Sequence, residues 1–366
     1  MPSNRPKVLI APLDWGLGHA TRCIPIIKEF LASGCSVIFA AEGSQKELLQ
    51  EEFPALKCLD LPGYRVTYST KRGLTFLKII CQIPKILIQI KRENRWLNNI
   101  LSRERPDIVI SDNRYGLHSL GVFCVLITHQ LHIKTGMGRS VERILSRINL
   151  RYINRFSVCW VPDLQGEQSL AGVMSVPDQL PVIPLRYIGW LSRFSNPGLE
   201  TPGNDLLIIL SGPEPQRTIL ESQLLKELKK HEGSAIMVRG LPGEVDLPDV
   251  SPNVSIYNHL STATFNRVIS QSALIISRAG YSTIMDLVTL GKKSILIPTP
   301  GQAEQEWLAT HLHNRKIAYA VKQDEFVLSE SLEAVKHFPF QQVQVTSMLA
   351  ETVKDLLERV NVPLLI

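Results

Sequence analysis

The sequence predicts an α/β chain of two doubly wound, parallel-sheet domains with a cleft between them. Three observations predict it. Short runs of branched apolar residues alternate with helical periodicity from Lys7 onward. That alternation stops in a Pro- and Gly-rich stretch. A second, similar series starts at Leu206. Strand–helix–strand units build parallel sheets covered on both faces, so their strands are continuous apolar runs. A length of 366 residues fits two domains at roughly 100–200 residues each.

The first domain is expected over residues 1–185. Lys7 to Pro12 (KVLIAP) predicts a buried strand, and the turn Asp14 to His19 (DWGLGH) follows it. Ala20 to Ser33 has helical spacing, with Ile24, Ile27, Phe30 and Leu31 on one face and Gly34 placed to end it. Ser36–Ala41, Asp107–Ser111, Val122–Thr128 and Val158–Pro162 predict further strands. Pro177, Pro181, Pro184, Pro197 and Pro202 then erase periodicity, which places the linker at 186–203. The second domain is expected over 204–341. Its strands are Leu206–Ser211, Ala235–Arg239, Val254–Tyr257, Leu274–Ser277 and Ser294–Pro298, with helices at Tyr281–Leu290 and Ala303–His313. A last helix, Gln342–Arg359 within 342–366, is expected to cross back onto the first domain. Ligands of such sheets bind at the carboxyl ends of the strands.

Composition narrows the class. The chain is 44% hydrophobic and 20% charged, ordinary for a globular protein. No run of 18 apolar residues predicts a membrane span, and the Val8–Pro12 run is too short for a signal peptide. A net charge of +6 suits an anionic ligand, nucleic acid or an anionic membrane surface without choosing among them. Cys23, Cys35, Cys58, Cys81, Cys124 and Cys159 form no CxxC pair and no zinc spacing, so buried free thiols in a reducing compartment are expected.

The most informative stretch is Leu274–Ala309 (LIISRAGYSTIMDLVTLGKKSILIPTPGQAEQEWLA). A strand ends at Ser277, Arg278, Ala279 and Gly280 turn, and Tyr281, Ser282 and Thr283 open a helix. Free amides and the dipole at such a helix start attract anions. Ser282 and Thr283 add hydroxyls, although both residue types also serve simply as helix caps. Asp286, one turn further, could accept hydrogen bonds from ribose hydroxyls. The loop after the next strand carries Gln302, Glu304 and Gln305, suited to sugar hydroxyls.

This segment resembles the donor-binding region of GT-B glycosyltransferases, and within them glycosyltransferase family 28 and the UDP-glycosyltransferases. Gly280, Ser282, Thr283, Asp286, Gly291, Lys292, Pro298, Gln305 and Ala309 carry the resemblance, in order. It implies two Rossmann-like domains of the GT-B fold and an enzyme that moves a hexose or N-acetylhexosamine from a UDP-sugar. The turn Gly280–Thr283 would hold the diphosphate, and Asp286, where the family usually has Glu, the ribose. Gln302, Glu304 and Gln305 would contact the sugar. Ser211 and Gly212 would approach the phosphates, though Pro213, Glu214 and Pro215 depart from the family's glycine-rich turn. Gly18, Arg278, Ala279 and Tyr281 count among the donor contacts, and Arg239 and His259 fall near the nucleobase. Such enzymes generally use no catalytic metal, no acidic pair suited to one is evident, and no cofactor is expected.

The turn after the first strand carries Gly16, Gly18 and His19. A dinucleotide fingerprint would need a third glycine where Thr21 stands, although Glu42 ends the second strand where a ribose-binding acid would lie. A histidine at a strand–turn–helix tip can take a proton from an acceptor hydroxyl at neutral pH. In the inverting enzymes that the chain resembles, this turn lies on the acceptor side. Asp112 is the first candidate to orient His19, and Asp14 the second. His129 and Gln130, after another strand, are acceptor-side candidates.

Arg139, Arg143, Arg147, Arg151 and Arg155 recur every four residues, and Leu74–Ile90 is apolar with Lys78 and Lys85, broken by Pro84. Together they suggest peripheral contact with anionic lipid on the inner face of a membrane, and an acceptor that is lipid-linked or a cell-envelope glycan. A solvated helix face is the plainer alternative. No nucleic-acid partner is expected, and a cytoplasmic location is. Three rivals remain: a UDP-N-acetylglucosamine epimerase, a non-catalytic sugar-nucleotide-binding subunit, and an NAD enzyme using the Gly16–His19 turn.

Overall fold

A computed structural model describes residues 5–66, 75–195, 203–241, 243 and 246–361. The chain divides into one compact unit of Met1–Val66, Ile80–Leu191 and Thr346–Ile366 and another of Thr67–Ile79 and Ser192–Val345.

The first unit contains β1 (Lys7–Pro12), α1 (Leu17–Ala32), β2 (Ser36–Ala41), α2 (Gly43–Glu52), β3 (Lys57–Asp60), α3 (Thr75–Glu104) from Ile80 onward, β4 (Ile108–Asp112), β5 (Phe123–Ile127), α4 (Arg139–Ile153), β6 (Val158–Val161) and β7 (Leu185–Tyr187). The seven strands are parallel in the order β3-β2-β1-β4-β5-β6-β7. Because β1 lies between β2 and β4, the connections leave its two sides in opposite directions. That reversal opens a crevice at the carboxyl ends of β1 and β4. The core under it is aliphatic, with Leu9, Ile38, Val109, Leu126 and Cys159 packed together.

The second unit contains β8 (Asn204–Ile209), α5 (Gln216–Leu228), β9 (Ala235–Val238), β10 (Val254–Tyr257), α6 (Thr262–Ser270), β11 (Ser272–Ser277), α7 (Tyr281–Thr289), β12 (Ser294–Leu296), α8 (Ala303–Asn314), β13 (Tyr319–Ala320) and α9 (Leu328–His337). Its parallel sheet runs β10-β9-β8-β11-β12-β13, so the equivalent switch point lies between β8 and β11. One cluster around Leu206, Ile208 and Leu224 and another around Leu207, Ile275 and Phe265 form its core.

The structure differs from the sequence reading in four places. Pro84 does not break its segment: α3 runs through it from Thr75 to Glu104. A proline removes one helical hydrogen bond, and the buried Ile90, Leu97 and Ile100 further along hold the helix on the core. The last helix, α10 (Leu349–Asn361), starts later than expected, because an antiparallel bridge between Gly189 and Ser347 keeps the approach extended. β7 and the bridged Gly189 extend the first unit to Leu191, into the stretch read as linker. All six cysteines are free, but Cys81 is exposed on α3 and Cys58 half-buried, because their elements turn them from the core.

Candidate active site

The carboxyl ends of β1 and β4 carry a buried polar cluster. β1 ends at Pro12, and Gly16, at φ 101°, turns the chain into α1. That conformation is one L side chains avoid. It places His19 in the first turn of α1. β4 ends at Asp112, directly opposite Pro12. Asn113, at φ 55°, then turns the chain away.

His19 Nδ1 stands 2.9 Å from Asp112 Oδ2. Arg22, one turn along α1, donates from Nε to both Asp112 oxygens at 3.0 and 2.9 Å, and from Nη2 to Oδ1. Arg22 Nη2 also lies 2.8 Å from His19 Nδ1. Asp112 is fully buried, Arg22 nearly so, and the His19 side chain keeps 16% of its exposure. Burial first and the Arg22 charge second hold His19 below the ordinary histidine value, against the pull of Asp112. Burial would push Asp112 up, but Arg22 and His19 outweigh it and leave the carboxyl below its usual range. The result at neutral pH is an uncharged imidazole beside an ionised carboxylate. With Nδ1–H donating to Asp112, the outer Nε2 carries a lone pair that can accept a proton.

The other first-unit candidates lie around this pair. Asp14 is not the partner of His19: its oxygens accept from the amides of Tyr64 and Arg65 at 2.9 and 2.8 Å and so pin a loop. Gly18 sits inside the first turn of α1, where its carbonyl accepts from Thr21 Oγ1 at 2.9 Å. Glu42 accepts from Gly63 N and pairs with Arg65. His129, buried just past β5, is near enough for its charge to act on His19. Gln130 follows it, its amide donating to Thr128 Oγ1 and its carbonyl accepting from Asn149.

In the second unit the ends of β8, β11 and β12 lie side by side. Ser277 ends β11, Ala279 is fully buried, and Gly280 caps α7, whose first turn is Tyr281, Ser282 and Thr283. The N-cap, Gly280, has no side chain with which to cap that helix start. The Ser211–Gly212 turn, with Gly212 at φ 102°, follows β8; a Cβ on Gly212 would meet Thr299 Oγ1 at 3.9 Å. The Thr299 hydroxyl is buried and has no hydrogen-bond partner among the described residues. Gln305 accepts from Thr299 N at 2.9 Å and donates to Gln302 Oε1 at 2.7 Å, which ties the loop to the start of α8. Glu304 lies in the same first turn.

Three candidates carry structural contacts that their place in the sequence does not announce. Arg278 is buried, and its guanidinium donates to the carbonyls of Gln216, Ile297 and Pro298, bracing the neighbouring strand ends. Arg239 is held by Glu221 and, at 2.6 Å, by Asn258 Oδ1. Asp286 accepts from Ser192 Oγ at 2.6 Å and from the amide of Arg193; burial raises its carboxyl to about 6. His259 follows Asn258 just past β10.

Comparisons with known proteins bear on the fold and the class of enzyme. The model of the glycosyltransferase family 28 C-terminal domain matches residues 207–360. A relative from Listeria monocytogenes, the UDP-N-acetylglucosamine--N-acetylmuramyl-(pentapeptide) pyrophosphoryl-undecaprenol N-acetylglucosamine transferase, is 22% identical over 347 residues, covering 90% of each chain. The chain is a GT-B glycosyltransferase similar to family 28. An uncharacterized glycosyltransferase of Methanosarcina acetivorans is 24% identical, over 82% of this chain and 81% of the relative. Among solved structures, MurG of Acinetobacter baumannii superposes with a TM-score of 0.59 at 16% identity, covering 97% of this chain and 99% of its own. The calicheamicin glycosyltransferase CalG4 reaches 0.64 at 13% identity over 99% and 100%. These likenesses establish the α/β, two-domain Rossmann-like GT-B fold of this glycosyltransferase.

Two parts of the candidate site are missing from the sequence reading. Arg22 had a signal: with Ile26 and Phe30 it forms an i, i+4 row on the buried face of α1, so a charge there needs a buried partner. The orphan hydroxyl of Thr299 had none, since a threonine between two prolines looks like any loop residue.

Proposed function

We propose that the chain is an inverting transferase that moves a hexose or N-acetylhexosamine from a UDP-sugar to an acceptor hydroxyl. The pairing of His19 with Asp112 at the β1/β4 switch point carries this reading. The acceptor hydroxyl gives its proton to His19 Nε2 as its oxygen bonds to the anomeric carbon of the donor. The bond from that carbon to the diphosphate breaks, and its electron pair leaves on the phosphate oxygen. The imidazolium then donates from Nδ1 to Asp112.

The leaving diphosphate is assigned to the start of α7 and the Ser211–Gly212 turn. There Ser282, Thr283 and the Thr299 hydroxyl add donors to the helix amides. A ribose hydroxyl takes the place of the Ser192 hydroxyl on Asp286, and Gln302, Glu304 and Gln305 meet the sugar. The nucleobase is assigned to the ends of β9 and β10, at Arg239 and His259. Gly18 completes the donor contacts, and His129 and Gln130 those of the acceptor. The UDP-N-acetylglucosamine in the name of the Listeria relative supports the choice of donor.

The acceptor is placed at a membrane surface, lipid-linked or part of a cell-envelope glycan, with the chain peripheral on the cytoplasmic face. Arg139, Arg143, Arg147, Arg151 and Arg155 are all exposed along and just beyond α4, beside the exposed Ile144 and Ile148. Ile83, Leu87 and Ile88 are exposed on α3. Part of the apolar segment, residue 74, lies outside the described residues. Among the described residues no helix is long and apolar enough to cross a membrane.

The deciding experiment is His19→Ala, assayed for UDP release from UDP-N-acetylglucosamine with lipid-linked acceptors. Turnover should fall by roughly 10²–10⁴-fold, with UDP affinity by calorimetry unchanged. Undiminished turnover removes His19 as the base. Epimer formation without any acceptor overturns the transferase reading.

A further inference from the structure

Arg22 changes what the His19–Asp112 pair can do. A lone carboxylate beside an imidazole favours the charged ring and raises its proton affinity. Here the carboxylate is already engaged: Arg22 Nε contacts both oxygens and Nη2 adds a third contact. The same guanidinium reaches 2.8 Å from His19 Nδ1, where a second positive charge is unwelcome. The other groups facing the ring are Asp112 on β4 and His129 after β5. With its amide oriented to suit its neighbours, Asn113 accepts from Arg22 Nη2 at 3.2 Å, a further hold on the guanidinium.

We propose that Arg22 is a positioning residue for the transfer: clamped on Asp112, it keeps His19 uncharged, so that with Nδ1–H directed to Asp112 the ring's Nε2 is open to the acceptor proton. The proposal rests on His19 being the base. Arg22 touches no reacting atom. Its guanidinium holds Asp112 in register with Nδ1, and its charge sheds the proton from His19 once transfer is complete. An Asp112 without Arg22 would favour an imidazolium, which cannot accept a proton. The arrangement suits an enzyme that must find its histidine unprotonated in every cycle at neutral or slightly acid pH.

The test is a titration of His19 by ¹⁵N-histidine NMR on the whole chain, with the His19 signals assigned by their loss in His19→Ala. In the unsubstituted chain the His19 midpoint should lie below the ordinary histidine value. In Arg22→Gln its midpoint should rise by about one unit or more, and the acid limb of the pH–rate profile should move up with it. Arg22→Lys keeps the charge and loses the fork, so its midpoint should stay low while turnover drops. An unchanged midpoint in folded Arg22→Gln overturns the proposal. Should the glutamine variant not fold, a lysine variant whose midpoint rises overturns it equally. Retained turnover in His19→Ala is a separate failure, because it removes the base and leaves the NMR result standing.

Discussion

At the scale of single residues, Asp286 has a measurable signature. It is buried, bonded to Ser192 and Arg193, and its carboxyl is raised to about 6 by burial. The native state therefore holds the Asp286 proton more tightly than the unfolded chain, whose carboxyl titrates near its model value of 3.8. The stabilisation from the protonated form is present at low pH and lost as pH rises from about 4 to about 6. Asp286→Asn keeps an acceptor for Ser192 and removes the charge. The variant should be more stable than the parent at pH 7 by up to about 3 kcal/mol, with the gap closing by pH 4. Urea unfolding of both chains at the two pH values measures it, and equal stability at pH 7 would contradict the burial argument. The polar side chains at the strand ends were legible in the sequence, because a residue just past an apolar run must stand at a sheet end. What each side chain bonds was not, as Arg278 shows: by sequence it is a residue of the donor turn, and its guanidinium braces three carbonyls.

Elements set which surfaces face solvent. In α4 the arginines at every fourth position line up with Ile144 and Ile148, while Glu142, Ser146 and Asn149 are turned inward and buried. The polar buried row has partners: Glu142 accepts from Thr135 N and pairs with Lys134, and Ser146 and Asn149 bond the loop after β5. With those partners holding α4 down, the basic and apolar row is left outside, which suits an anionic bilayer surface. Each arginine near such a surface adds about 1 kcal/mol. Arg143→Glu with Arg147→Glu should therefore reduce co-sedimentation with phosphatidylglycerol vesicles by at least about tenfold at low salt. Turnover on a soluble acceptor should be unaffected. Binding that survives the double charge reversal would leave α4 as a solvated face. Periodicity alone marked the stripe. It left open whether the row meets lipid or is only a solvated face, because the partners of the inward row lie outside the helix.

At the scale of the whole molecule, the two sheets keep separate cores, and α10 belongs to the first. Leu349, Val353 and Leu356 are buried, and α10 packs against α1, the helix that carries His19 and Arg22. Three such side chains represent roughly 5–8 kcal/mol of burial. Ending the chain at Val345 should lower the melting transition of the first unit in scanning calorimetry and increase its cleavage by trypsin. The transition of the second unit should not move. A single transition shifted as a whole would show that the units unfold together.

By itself the sequence determined the strand–helix alternation, the resulting fold class, and the presence of His19, Asp112 and the Gly280–Thr283 turn at strand ends. Local periodicity and glycine chemistry suffice for these, because each is dictated by residues a few positions apart. Only the tertiary structure decided that Asp112 and not Asp14 faces His19, a choice made across 93 positions by the pairing of β1 with β4. The structure also decided that Arg22 joins them, that Thr299 stands beside Gly212, and that α3 passes through Pro84. An apolar run records that a strand is buried. It carries no record of which strand lies beside it, and the candidate site is made of those adjacencies.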